Sequence, residues 1–149
     1  LFRSFKMIYI GLDLGEVSLG IARSDTGVIA NGVETYRFPK GNYRQAANYI
    51  SKYIKRENID IIVLGLPKHL SSDIGERAEV SIMFKELLEE KTKKEVILWD
   101  ERLTTKQALD TMKEAGLSSK KRHENKDMLA AVLILQNYLD YKGEKKDGK

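Results

Sequence analysis

The chain has 149 residues, 42% of them hydrophobic and 32% charged, which is the composition of one soluble globular domain with room for a sizeable core. It has no cysteine, which excludes a disulfide framework, thiolate metal sites and cysteine nucleophiles and fits a reducing, cytoplasmic setting; no apolar run approaches a membrane span and no signal peptide is visible. The net charge of +4 comes from the ends: Arg3 and Lys6 supply two, and the tail Lys142–Lys149, with four lysines against Glu144 and Asp147, supplies two more. The body is near neutral, so overall charge gives no argument for nucleic acid.

Residues 1–6, ahead of Met7, read as cloning residue or an irregular start, and 7–141 as a single domain. The first predicted strand alternates, with Ile8, Ile10 and Leu12 on one face and Tyr9, Gly11 and Asp13 on the other. Gly15–Gly20 is a natural reversal, and Leu19–Ser24 returns as a second strand. Val28–Phe38 reads as a third strand, ended by Pro39-Lys40-Gly41-Asn42. The period then changes, and Ala46, Ala47, Ile50, Tyr53 and Ile54 predict an amphipathic helix over Tyr43–Glu57. Ile59–Leu64 is a nearly continuous apolar run, as in a strand covered on both faces, stopped by Gly65-Leu66-Pro67.

After a polar loop, Lys68–Gly75, a second helix is predicted over Glu76–Lys91 and a buried strand over Glu95–Trp99, ending in Asp100-Glu101-Arg102. Thr104 and Gln107 have capping-box spacing, so a third helix starts there, with Gly116 as its stop. Leu117–Asn125 is a polar, basic loop. A last helix spans Lys126–Tyr141, and 142–149 is expected to be a flexible tail. The order β-β-β-α-β-α-β-α-α predicts an α/β fold: a five-stranded mixed sheet, three strands antiparallel and two parallel, with helices on both faces.

In such sheets, sites collect at the carboxyl ends of strands. Asp13 stands at one such end; Asp100 and Glu101 stand at another. Parity puts Val96, Leu98 and Asp100 on one face and Ile97, Trp99 and Glu101 on the other, which leaves open the acid that faces Asp13. Asp127 lies in register with Ala130, Ala131, Ile134 and Tyr138 at the start of the last helix, either as an N-terminal cap or as a third converging carboxylate. Clustered carboxylates repel unless protonated or bridged by a cation. With no cysteine and only His69 and His123, the fitting cation is Mg²⁺ or Mn²⁺, as one ion or two, which suits phosphodiester hydrolysis. The run Lys120-Lys121-Arg122-His123 is a solvated loop or a phosphate-contacting patch.

With these residues placed, the chain resembles the YqgF (RuvX) family, Holliday-junction-resolvase-like nucleases of the ribonuclease H-like fold. The resemblance rests on Gly11-Leu12-Asp13-Leu14-Gly15, Gly20-Ile21-Ala22, Ser24-Asp25, Gly65-Leu66-Pro67, the hexapeptide from Asp100 to Thr105, and Asp127 followed by Ala130-Ala131. It implies metal-dependent cleavage of nucleic acid by Asp13, Glu101 and Asp127, with Asp100 as an alternative ligand. Arg102, Lys120, Lys121 and Arg122 would contact phosphate, and Gly11, Gly15 and Thr104 would support the loops. The implied role is 5′-end processing of precursor 16S ribosomal RNA, with resolution of branched DNA as the alternative. The chain departs from the family in the turn after Gly15, where Glu16-Val17-Ser18 replaces the usual basic residues, and after Pro67, where His69 and Ser72 stand for an Asn and a Gly. A non-catalytic nucleic-acid or ribosome-associated module of the same fold is the rival from another class. An actin-like ATP-binding fold, which needs two such domains, ranks last.

Overall fold

The computed structural model describes residues 6–66, 74–100 and 125–147. They form β1 (Tyr9–Leu14), β2 (Ser18–Ser24), β3 (Asn31–Arg37), α1 (Tyr43–Arg56), β4 (Ile61–Leu66), α2 (Ile74–Thr92), β5 (Glu95–Asp100) and α3 (Lys126–Asp147). The strands make one five-stranded sheet in the order β3-β2-β1-β4-β5. The first three pair antiparallel as a meander, while β1–β4 and β4–β5 pair parallel, as the element order predicts. The expected helix over 104–116 and the loop residues 117–124 lie outside the described residues.

Alternation along the strands divides the apolar side chains between two cores. Ile10, Leu12, Leu19, Ile21, Ile62 and Leu64 pack under α1 and α2, against Ile50, Ile54, Phe84 and Leu88. On the other face Tyr9, Ala22 and Val63 pack under α3, against Ala131, Ile134, Leu135 and Leu139. Each fully buried Leu, Ile or Phe contributes roughly 1.5–3 kcal/mol of transfer free energy. Helix α1 starts where Asn42 accepts the Gln45 N–H at 3.1 Å, a side-chain cap on an otherwise orphaned amide. Beyond the end of α1, Asn58 turns the chain at φ 54 into β4.

Several boundaries differ from the predicted ones. Strand β3 starts at Asn31 rather than Val28, because Thr26 Oγ1 accepts the N–H groups of both Val28 and Ile29 at 3.0 Å and ties them into a turn. Strand β4 runs Ile61–Leu66 rather than Ile59–Leu64: the N–H groups of Asp60 and Ile61 both donate to the Ile8 carbonyl, at 2.8 and 3.2 Å, and pairing begins there. Helix α2 begins at Ile74, two residues before Glu76. The last helix continues through Lys142–Asp147, so this stretch is helical where a flexible tail is predicted. Its composition of Lys and Glu favours helix, and Lys142 is anchored: its ammonium donates to the Tyr9 hydroxyl at 2.5 Å and sits 4.9 Å from that ring's centre.

Candidate active site

Asp13 lies near the end of β1, and the antiparallel register pairs it with Gly20; Gly11 pairs with Ala22. Directly paired residues share a face of the sheet, with Cα atoms about 4.5–5.5 Å apart. Tyr9 and Ala22 belong to the core under α3, so Asp13 and Gly20 share that face. Along β2 the same face carries Ser18, Gly20, Ala22 and Ser24, all small, while Leu19, Ile21 and Arg23 point the other way. This shallow strip lets α3 lie close to the backbone. A Cβ on Gly20 would stand 1.9 Å from the Asp127 carbonyl oxygen, and one on Gly11 would stand 2.6 Å from Leu135 Cβ and 2.9 Å from the Ala131 carbonyl oxygen. The first turn of α3 therefore rests on the residue directly across from Asp13.

Within that turn, Asn125 holds the cap position: its carbonyl accepts the Leu129 N–H at 2.8 Å. Asp127 thus lies inside the helix, and its carboxylate Oδ2 accepts a 2.5 Å hydrogen bond from the Ser18 hydroxyl at the start of β2. A carboxylate in a first turn is also favoured by the helix dipole, by roughly 0.3–1 kcal/mol. Ser18 is 4% exposed, and its own carbonyl accepts the Gly15 N–H at 2.8 Å, which closes the β1–β2 hairpin. Sequence reasoning treats Ser18 only as part of an unusual turn and misses this contact. The available signal is the alternation of small residues in Ser18-Leu19-Gly20-Ile21-Ala22-Arg23-Ser24, which marks a strand face built for close helix packing.

The structure thus brings Asp13 and Asp127 to one end of one sheet face. Asp100 is placed elsewhere: Val96 and Leu98 pack into the α1/α2 core and Trp99 into the α3 core, so alternation puts Asp100 on the face opposite Asp13. Glu101, Arg102, Thr104, Lys120, Lys121 and Arg122, with His69 and Ser72, lie outside the described residues. Among the described residues no group of three or more His, Asp or Glu side chains is placed to hold a metal ion. Gly11 serves the docking of α3 rather than a loop, whereas Gly15 does sit in the hairpin turn, where an added Cβ would be 3.4 Å from the Ser18 carbonyl oxygen.

Ser24 and Asp25 are turn builders. Ser24 Oγ accepts the Gly27 N–H at 3.0 Å, and Asp25 accepts from Arg23 at 2.6 Å. Arg23 also donates to Glu57 at 2.8 Å and Tyr53 at 3.2 Å, on the α1 side of the sheet and away from Asp13. These bonds, Glu57 foremost, raise the guanidinium above its ordinary range and hold the Glu57 carboxyl below its own. No described helix is long and apolar enough to cross a membrane.

Comparison with known proteins agrees with this geometry. The family profile described as "RuvX: Holliday junction resolvase" matches residues 7–141. A protein of Aster yellows witches'-broom phytoplasma named "Putative pre-16S rRNA nuclease" is 47% identical over 133 residues, covering 89% of this chain and 88% of its own. Proteins of the same name from Staphylococcus saprophyticus and Listeria monocytogenes are 44% and 43% identical, over 88% and 90% of this chain and 94% and 98% of theirs. Among solved structures, Thermus thermophilus RuvC in complex with a Holliday junction substrate superposes with a TM-score of 0.61 at 11% identity, over 92% of this chain and 96% of that one. Fowlpox virus resolvase in complex with Holliday junction DNA superposes with a TM-score of 0.59 at 16% identity, over 91% and 99%. At such identities the likeness is one of fold, the ribonuclease H-like sheet of the resolvases. With the profile match and the curated relatives, it establishes that this chain belongs to the RuvX family.

Proposed function

We propose that residues 7–141 form a divalent-cation-dependent nuclease domain that hydrolyses phosphodiester bonds and trims the 5′ end of precursor 16S rRNA in the cytoplasm. The observation that carries this reading is the seating of the first turn of α3 on Gly20, which holds the Asp127 carboxylate at the strand end where Asp13 emerges. Strand alternation continued from Trp99 assigns Glu101, not Asp100, to the same face, completing an acidic set of Asp13, Glu101 and Asp127.

The donors fit a hard cation. They are carboxylates from a strand end and a helix start, with no thiolate in the chain, a set that suits Mg²⁺ or Mn²⁺. When bound, one or two such ions supply Lewis acidity toward the phosphate and lower the pKa of the attacking water. The protein's own part is to hold two acids side by side against their mutual repulsion, on rigid elements rather than on loops. Arg102, Lys120, Lys121 and Arg122 are assigned to phosphate contacts, which position a substrate without reading its sequence.

The curated relatives' name favours precursor rRNA, and the family's description favours branched DNA as the second reading. Cleavage of a precursor 16S RNA fragment and of a four-way DNA junction, compared at equal concentration in Mn²⁺, tests the choice. Removal of the RNA's 5′ extension ahead of any junction cleavage is expected. Preferential cutting of the junction would favour the resolvase reading. Failure to cut either substrate at millimolar Mn²⁺ would leave a non-catalytic binding module.

A further inference from the structure

We propose that Ser18 is a positioning residue for Asp127: its hydroxyl takes one carboxylate oxygen and leaves the other for a cation shared with Asp13. This rests on the reading that Asp13 and Asp127 hold a divalent cation.

Three observations converge on Ser18. It follows Gly20 and Ala22 on the sheet face that carries α3, at the hairpin end where Asp13 completes β1. Its side chain is 4% exposed, and its backbone is pinned by the Gly15 N–H bond, so the hydroxyl has a fixed origin. Its proton goes to Asp127 Oδ2 at 2.5 Å.

Asp127 is thereby held at two points. Its backbone rests on Gly20, and its carboxylate is drawn along β2 toward the hairpin, the direction in which Asp13 lies. A first-turn aspartate without that donor has its own helix's free N–H groups and solvent as competing partners. A hydroxyl donor also cannot bridge both carboxylate oxygens, so Oδ1 keeps its lone pairs for a cation. Partners of this kind around metal ligands are worth about 10–100-fold in affinity when removed. The unusual turn Glu16-Val17-Ser18 therefore carries part of the site on its last residue.

The test is Mn²⁺ titration by calorimetry on the whole chain without nucleic acid, with apo thermal melting alongside. Ser18→Ala should weaken Mn²⁺ binding by about 10–100-fold. Ser18→Thr and Ser18→Val form a shape-matched pair that differs only in the hydroxyl. The Thr variant should bind Mn²⁺ as the wild type does, and the Val variant should show the loss. Equal Mn²⁺ affinity in the Thr and Val variants would overturn the proposal, even if the Val variant melted lower, because the hydroxyl would then be structural only. If Ser18→Ala fails to fold, the Thr and Val comparison decides alone. A wild type that takes up no Mn²⁺ at millimolar concentration would overturn the two-carboxylate site, and the role of Ser18 with it.

Discussion

Substituting Gly20 by alanine places a methyl carbon 1.9 Å from the Asp127 carbonyl oxygen and 2.3 Å from its carbonyl carbon, both of them helix backbone. Such contacts are essentially never closer than 3.0 Å, so the first turn of α3 must retreat by about 1 Å or the β1–β2 hairpin must bend away. Overpacking of this kind costs about 1–3 kcal/mol, which for a chain of this size lowers Tm by roughly 3–10 °C. The same retreat moves Asp127 away from Asp13, and misplacement of a catalytic group by about 1 Å can cost about a hundredfold in rate. Gly32→Ala is the control. Its Cβ would meet Met128 Sδ at 2.8 Å and Cγ and Cε at 2.9 Å, the flexible end of a side chain that can rotate away. That variant should stay within about 1 kcal/mol of wild type, since stiffening the unfolded chain offsets part of the adjustment. Melting curves and Mn²⁺-dependent cleavage rates for both variants check the pair. If Gly20→Ala kept wild-type Tm and rate, α3 would not be seated on Gly20 and the proposed placement of Asp127 would be wrong.

Two pH-dependent predictions concern the far side of the sheet. The Arg23 hydrogen bond holds the Glu57 carboxyl below its ordinary value of 4.5, so its contribution to stability is full above that pH and disappears as pH falls through the lowered folded-state value. The Tm gap between wild type and Glu57→Gln should accordingly narrow on acidification from pH 6 to 3; a gap that stayed constant would contradict the pairing. Tyr49 donates to Glu34, which pushes its phenol up to about 12, so the stability from this bond is full below pH 10 and is lost as pH rises toward 12. Ultraviolet titration should show a late-ionising phenol that vanishes in Tyr49→Phe, and loss of an ordinary phenol near pH 10 instead would count against it.

Local pattern was enough for the parts of the fold that local pattern governs. The alternation of Ile10 and Leu12 against Tyr9, Gly11 and Asp13 places Asp13 on one face, and the change of period at Tyr43 announces α1. Connection lengths then imply the mixed sheet. What could not be read locally depends on contacts far apart in the chain. Ser18 and Asp127 are 109 residues apart. Gly20 looks like a turn glycine until α3 is laid across it, when it becomes the residue that sets the height of Asp127 above the sheet. Val28–Ala30 look like strand but are taken by Thr26 and by Gln136 of α3, whose amide accepts the Ala30 N–H and donates to the Val28 carbonyl. Parity alone left Asp100 and Glu101 even; the packing of Trp99 beneath α3 settles that Asp100 takes the opposite face.

The central claim is that Asp13 and Asp127 together hold the cation used to cut nucleic acid. The most direct measurement is the cleavage rate of a precursor 16S RNA fragment against Mn²⁺ concentration for the wild type, Asp13→Asn and Asp127→Asn, with circular dichroism to confirm that each variant is folded. Mn²⁺-dependent cleavage by the wild type, and its loss in both folded variants, is the predicted result. Undiminished turnover by folded Asp13→Asn would contradict it.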